Sequence, residues 1–487
     1  MGNSQTVIAN VIVLLVKQIV TWSLTAVLIL FLPRYLGDEG LGQVTFASSF
    51  TGVFVPLIVL GVPTYLVKEV ARDKDKIGIY FVNSLVMRIP LSAAVFVIVW
   101  LSVNIMGYSA QMKTVVYLGC LTTIAMCLND TASSILQGIE NMRWITVADI
   151  AGKLVTTGVG ILVLINGYGV EAYALVLLSG AMVALAINMS FFFIRRSIRL
   201  ELDFKVWRTL LVGGFPFLIT SVLLTVYQRG DTTILRLMTN DAVVGWYGAA
   251  TQLFGTLNFV PILVGTAILP ALSRMYSSNP NQMTIAAKRS ISITVLVSLP
   301  MAGGTMLISD KIIQFLHFPE AFSNSVPLLS ILSGSVPITG TLVIIGTVLM
   351  AADRQRELAK ITAIGFALNT LLNVVGIPMA QSRYGNGAIG SAVAWVAAEL
   401  LILIVAIRLL PAGVLDRSVI TVLLKSLAGT GVMALVIIAI YGVDLPIVIA
   451  AGAAAYGVFS LLVKSVKIGE LILVKDVVLK RRLAAGL

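Results

Sequence analysis

The chain has 487 residues, 58% of them apolar and 11% charged, and its mean hydropathy is +0.99. The length would suit three soluble domains, but this composition excludes them and requires a protein embedded in a bilayer. The 34 Lys and Arg exceed the 22 Asp and Glu by 12. In such a chain the surplus sorts to one membrane face and does not imply nucleic-acid binding. Cys120 and Cys127 lie in one apolar run, roughly 10 Å apart on a helix, too far for a disulfide.

Residues 1–6 carry no basic segment, and the apolar run that follows has no small-residue cleavage site. The first hydrophobic stretch is therefore expected to stay as a membrane helix. About 20 apolar residues cross a hydrocarbon layer of roughly 30 Å. Cutting the chain where charges, Gly and Pro interrupt such runs gives spans at 9–32, 42–66, 79–106, 114–136, 147–166, 170–194 and 209–235. Further spans follow at 243–272, 285–308, 325–350, 358–380, 387–408, 418–441 and 445–463. The expected fold class is all-α integral membrane with about 14 transmembrane helices.

Alternate loops differ in charge. One set, with the C-terminal tail, carries 24 of the 34 bases, among them Lys68, Arg72, Arg143, Arg195, Arg274, Arg354 and Lys480. The other set carries only Arg34, Lys113, Arg236, Lys311 and Arg383. Short cytoplasmic loops retain positive charge during insertion, so both termini are expected in the cytoplasm of a multi-pass protein of the cell membrane.

The chain also repeats itself at an offset near 204 residues. Leu36-Gly-Asp-Glu-Gly-Leu-Gly42 echoes Thr239-Asn-Asp-Ala-Val-Val-Gly245, with Pro56 and Pro63 answered by Pro261 and Pro270. Each copy holds six spans, an even number, so the copies insert in the same orientation. The division read from this is an N-lobe at 1–205, a C-lobe at 206–412, and two extra helices with a basic tail at 413–487.

Several of these segments carry a family likeness. Pro33-Arg-Tyr-Leu-Gly-Asp-Glu-Gly-Leu-Gly42 resembles the element that opens the polysaccharide flippases of the multidrug/oligosaccharidyl-lipid/polysaccharide exporter superfamily. Gln137-Gly138 with Arg143 resembles their element after the fourth span. Arg229-Gly-Asp231, Gly245-Trp-Tyr-Gly-Ala-Ala250 and Leu269-Pro-Ala-Leu-Ser273 resemble their seventh and eighth spans. The likeness covers spans 1 to 12. It implies two pseudo-symmetric six-helix lobes in a V around a central cavity, and movement of a lipid-linked saccharide across the membrane by alternating access. It implies no particular sugar and no particular driving ion.

Charges at bilayer depth are costly unless they pair, reach the surface or face a cavity, so each is a candidate. Lys17 and Arg88 fall near mid-depth and Arg229 in the outer third, whereas Lys153 and Lys425 lie near enough to the surface to snorkel. Lys17 and Thr21 share one face of span 1, and Ser221, Thr225 and Arg229 share one face of span 7. These residues, with Arg88, Asn369 and Asn373, are the expected substrate cavity. Asp130, Asp231 and Glu399 are the candidates for ion coupling or charge pairing. The chemistry behind the choice is that a lipid-linked saccharide carries phosphate or diphosphate, whose lost hydration Lys and Arg replace with charge-assisted hydrogen bonds. Buried amides such as Asn369 also serve simply to join helices. Prolines within spans, among them Pro56, Pro63, Pro216, Pro261, Pro300 and Pro337, are candidate hinges.

The chain has one histidine, His317, and no HExxH, paired CxxC or Walker element, so no metal, cofactor or ATP hydrolysis is expected. A polysaccharide polymerase or glycosyltransferase is the candidate protein partner, and a monomer the working state. Two other readings stay open. A multidrug or cation antiporter of the same fold would favour acids in the cavity. A membrane-embedded glycosyl ligase would need catalytic residues in a large outer loop, and the longest such loop, near 309–324, is short.

Overall fold

The computed structural model describes residues 2–194, 201–411 and 413–463. Arg195, Arg196 and Arg199, and the basic tail from Lys464 to Arg482, lie outside the described residues. Among the described residues there is no strand. The chain runs through α1 (Gly2–Gly52), α2 (Val55–Val59), α3 (Val62–Arg72), α4 (Ile77–Ile105), α5 (Ala110–Gly138), α6 (Met142–Ile165), α7 (Gly169–Ile194) and α8 (Phe204–Met238). It continues with α9 (Asp241–Leu257), α10 (Phe259–Ser278), α11 (Pro280–Phe315), α12 (Val326–Gly334), α13 (Val336–Ala351), α14 (Gln355–Tyr384), α15 (Ala388–Ile407), α16 (Arg417–Ala439) and α17 (Leu445–Leu462).

Ten of these stretches are long and apolar enough to cross a membrane, and thirteen if each of three bent helix pairs forms one broken span. Within α1, Gly37 has φ 67° and ψ −174°, a region open essentially only to glycine. Gly37 therefore separates the first expected span, 9–32, from the second, 42–66, which begins in α1 and continues through α2 into α3, and the count of about 14 agrees. Pro56, Pro63 and Pro337 sit in the first turn of α2, α3 and α13, where a missing N–H costs nothing. Pro216 and Pro300 lie inside α8 and α11.

The chain divides into two compact units. The first comprises Met1–Ala249, His317–Ser325 and Thr362–Ala394. In it α1, α5, α6 and α7 pack side by side, and small residues set their spacing. A Cβ added at Gly152 of α6 would lie 2.6 Å from the Gly180 carbonyl oxygen of α7, and one at Gly180 would lie 2.7 Å from that of Gly152. Lipid tails are as apolar as leucine, so membrane helices gain from such close backbone approach rather than from hydrophobic exclusion. Towards one end Leu66, Val70, Ile135, Phe192 and Leu210 form a buried cluster, in which Phe81 and Phe192 stack with centroids 3.9 Å apart.

The repeat-related segments of this unit meet reciprocally. A Cβ at Gly42 would fall 1.8 Å from the Asp241 carbonyl oxygen, and one at Gly245 would fall 1.9 Å from that of Asp38. The Trp246 indole donates to the Asp38 carboxylate at 3.0 Å, and the Gln43 amide donates to that of Asp241 at 3.4 Å. Each segment thus makes the same two contacts with the other, as expected of two copies related by a local twofold axis.

The second unit comprises Ala250–Leu316, Val326–Ile361 and Trp395–Leu487. Its core gathers Leu272, Ile291, Ile344, Val348 and Val414, and a smaller cluster of Ile308, Met433, Ile437 and Val448 seats α16 and α17 on α11. The Asp416 carboxylate caps α16, accepting from the backbone N–H groups of Ser418 and Val419, and pairs with Lys288 of α11. The Lys288 hydrogen bond, then that of Ser418, hold its carboxyl well below the usual carboxylate range. Such a group stabilises the fold above its unfolded-state pKa, and this contribution disappears as pH falls through the lower folded-state value. The melting temperature of the purified protein should therefore drop between pH 5 and strongly acid pH by less in Asp416→Asn than in the wild type, after correction for the variant's lower starting point.

Substitution at the reciprocal contact separates close approach from simple helix propensity. Gly42→Ala should destabilise by about 1–3 kcal/mol, the usual cost of overpacking. Gly158→Ala, where nothing lies within 4 Å of the added Cβ, should be neutral or stabilising by up to about 1 kcal/mol. Thermal unfolding in detergent would compare the two.

Candidate functional site

Two cavities lie in the first unit. The larger, of about 640 Å³, is lined by α1, α2, α5, α6, α7 and α8, and the smaller, of about 530 Å³, by α1, α2, α5 and α6. Lys17, Val55, Met126, Asn129 and Asp149 line both, so the two are contiguous. Small residues recur in the lining of the larger space, among them Ala47, Gly52, Gly119, Gly152, Gly180 and Ala184.

The charged lining of the larger cavity is Lys17, Lys153, Arg229 and Asp149. The Lys17 ammonium lies 2.8 Å from the Asp149 carboxylate, with 22% and 30% of the two side chains exposed. Lys153 follows Asp149 by one turn of α6 and is half-buried. Arg229 enters from α8 and is exposed within the cavity. Its guanidinium lies beside Gly52 of α1, where a Cβ would be in ordinary van der Waals contact with it, 3.5 Å from Nε. Neither Lys153 nor Arg229 has an acidic partner among the described residues. Thr21 also lines the space, its hydroxyl donating to the Lys17 carbonyl at 2.9 Å.

The other candidates lie elsewhere. Arg88 is fully buried, donates to the Cys127 carbonyl, and lines neither cavity. The reason is helical phase: Ser84, Met87, Arg88, Ser92 and Val95 form the buried stripe of α4, and depth counting gives a residue's height but not its azimuth. Asp130, within electrostatic reach of Arg88, lines the smaller cavity. Ser221 and Thr225 are half-buried on α8 and line neither space, so of the expected stripe only Arg229 reaches the cavity.

Asp231, Asn369 and Asn373 do come together, as a packed cluster. The buried Asp231 carboxylate accepts from the Asn369 amide at 2.6 Å, from that of Asn373 at 3.2 Å, and from the Tyr247 hydroxyl at 3.4 Å. In the second unit Glu399 is also buried and accepts from the Thr339 hydroxyl. Asp149 was not singled out from the sequence because it stands at the start of a span, where a carboxylate passes for a loop residue. Its spacing of four from Lys153 was the available signal. Among the described residues no group of His, Cys, Asp and Glu is arranged to hold a metal ion.

The fold and this lining define a multi-pass helical membrane protein with a water-accessible chamber of net positive charge in its N-terminal half. A family model described as polysaccharide biosynthesis protein matches residues 7–276, and the chain belongs to that family. The MatE family model matches residues 216–375. The chain is similar to a probable low-salt glycan biosynthesis flippase of Haloferax volcanii, 26% identical over 75% of each chain. It is also similar to a putative O-antigen transporter of Shigella flexneri, 20% identical over 75% of this chain and 88% of that protein. Among solved structures, the lipid II flippase MurJ in an inward closed conformation matches with a TM-score of 0.76, at 15% identity, over 93% of this chain and 98% of that one.

The Asp231 cluster gives a direct check on packing. Asp231→Ala leaves buried amide donors without their acceptor and should cost about 2 kcal/mol or more. Asp231→Asn, which keeps one acceptor, should cost less, as thermal unfolding of the two variants would show.

Proposed function

We propose that the protein moves a saccharide carried on a lipid phosphate or diphosphate across the cell membrane, exposing its chamber to one face and then the other. The observation that carries this reading is the chamber itself, in which Lys17, Lys153 and Arg229 outnumber the single acid Asp149. A phosphate leaving the headgroup zone loses hydration, and fixed Lys and Arg donors replace it in a partly desolvated space. The lipid tail stays in the bilayer, and the sugar finds Thr and Asn. Membership of the polysaccharide biosynthesis family and the flippase and O-antigen names of the relatives support it.

The function is transport rather than catalysis. Both termini are placed in the cytoplasm by the Lys and Arg bias of alternate loops. The protein acts as a monomer beside a polysaccharide polymerase or glycosyltransferase that consumes or supplies the carrier. The match of the MatE model to residues 216–375 favours a second reading, a multidrug or cation antiporter. An organic cation would, however, meet three bases in this chamber.

Reconstitution in proteoliposomes with labelled lipid-diphosphate oligosaccharide tests the proposal. Lys17→Ala and Arg229→Ala should each slow flipping by about tenfold or more, the scale of one lost charge-assisted contact. Ser221→Ala and Thr225→Ala should stay within about twofold. Unchanged flipping in both basic variants, or faster movement of an organic cation than of the phosphorylated lipid, would overturn it.

A further inference from the structure

The Lys17–Asp149 pair is unusual for a packing contact, because it lines both cavities and its two side chains are 22% and 30% exposed. Exposed pairs of this kind contribute little to stability. An anion passing between the cavities must therefore pass the pair, and its negative charge competes with the carboxylate for the same ammonium. Asp149 has no other acid beside it in the lining of the larger cavity, so it alone sets how much of the positive charge there is already neutralised.

A carboxylate displaced within this partly hydrated chamber is stabilised by a second base within reach. Lys153 is that base. It follows Asp149 by four residues, about 6 Å along α6, lines the same cavity, and has no acidic partner among the described residues. An acid placed four residues before a base is the favourable order on a helix, agreeing with the backbone dipole.

We infer that Asp149 is the chamber's resident counter-ion: it yields Lys17 to the carrier's phosphate, passes to Lys153 while the phosphate is held, and retakes Lys17 to release it. Whichever lysine it neutralises, the chamber keeps two uncompensated positive charges, those of the other lysine and Arg229. The carrier is thus bound firmly enough to enter and loosely enough to leave, the balance every transport site must strike. The idea rests on the phosphorylated-carrier reading above, and assigns Asp149 a positioning role exerted through the two lysines.

The test is a split between affinity and rate in the same proteoliposomes. Asp149→Asn removes the competitor, so the apparent KM for the lipid-diphosphate oligosaccharide should fall by about tenfold and the maximal rate should fall with it as release becomes limiting. Asp149→Glu should restore both. Binding to the detergent-purified protein gives a second readout: Asp149→Asn should tighten dodecyl phosphate by a similar factor and leave a neutral dodecyl glycoside unchanged. An unchanged or raised KM, or tightening shared by both detergent-like probes, overturns the inference, since a purely structural role predicts the first and a change in apolar contact the second. Failure of the wild-type protein to move the lipid-diphosphate substrate would instead defeat the functional reading on which the inference stands.

Discussion

Everything in this chain answers to the cost of placing charge inside a bilayer. A base or acid at that depth persists only where it is paired, enclosed by packed polar groups, or wetted by a cavity. The protein uses all three arrangements. Lys17 and Asp149 pair in the lining of the chamber, Lys153 and Arg229 line its open space, and Arg88, Asp231 and Glu399 are enclosed among helices. The sorting follows from azimuth. Two bases at similar depth, Lys17 and Arg88, end in opposite environments because one side chain points into the space between helices and the other into the seam between α4 and α5.

The duplicated segments show how a repeat turns into a contact. Asp38 and Asp241 each receive one side-chain donor from the opposite copy, Trp246 and Gln43 respectively. Gly42 and Gly245 each accept the opposite backbone at a distance no Cβ would permit. The donors differ, indole in one copy and amide in the other, while the acceptors and the glycines are the same. The divergence has fallen on the groups that geometry constrains least, and glycine has stayed where a carbonyl oxygen occupies the space of a Cβ.

Much of this was legible in the sequence. Hydropathy, breakers and the alternation of Lys and Arg gave the number of spans, because each bilayer crossing needs its own apolar run and leaves its own loop signature. Arg229 was found from a polar stripe on an otherwise apolar helix, and Lys17 from its depth. Arg88 escaped correct placement because a span that is apolar on every face has no moment to orient it. Ser221 and Thr225 share a helix face with Arg229 on the segment Ser221–Met238, but that stripe runs about 12 Å along the axis and only its Arg229 end lines the cavity. Asp149 and Lys153 were passed over because each is tolerable near a span's end. Their importance comes from facing the same space as Lys17, which is a fact about three helices and not about one.

The chamber's neutral lining has its own polarity. Thr21, Thr122 and Thr156 line the space and donate their hydroxyls to backbone carbonyls one turn earlier, at 2.9, 2.8 and 2.9 Å, so each oxygen keeps its capacity to accept. The Asn129 amide oxygen accepts from the buried Asn188 at 2.8 Å, so its NH₂ remains a donor. Back-bonded hydroxyls thus offer acceptors, while the two lysines, Arg229 and Asn129 offer donors. A phosphate needs donors alone, whereas a sugar hydroxyl donates and accepts in any direction. On the proposed reading, a lining that separates charged donors from neutral acceptors would select the phosphorylated end rather than a particular sugar. That is the division of labour expected of a site that must accept a whole saccharide unit by its common anionic handle.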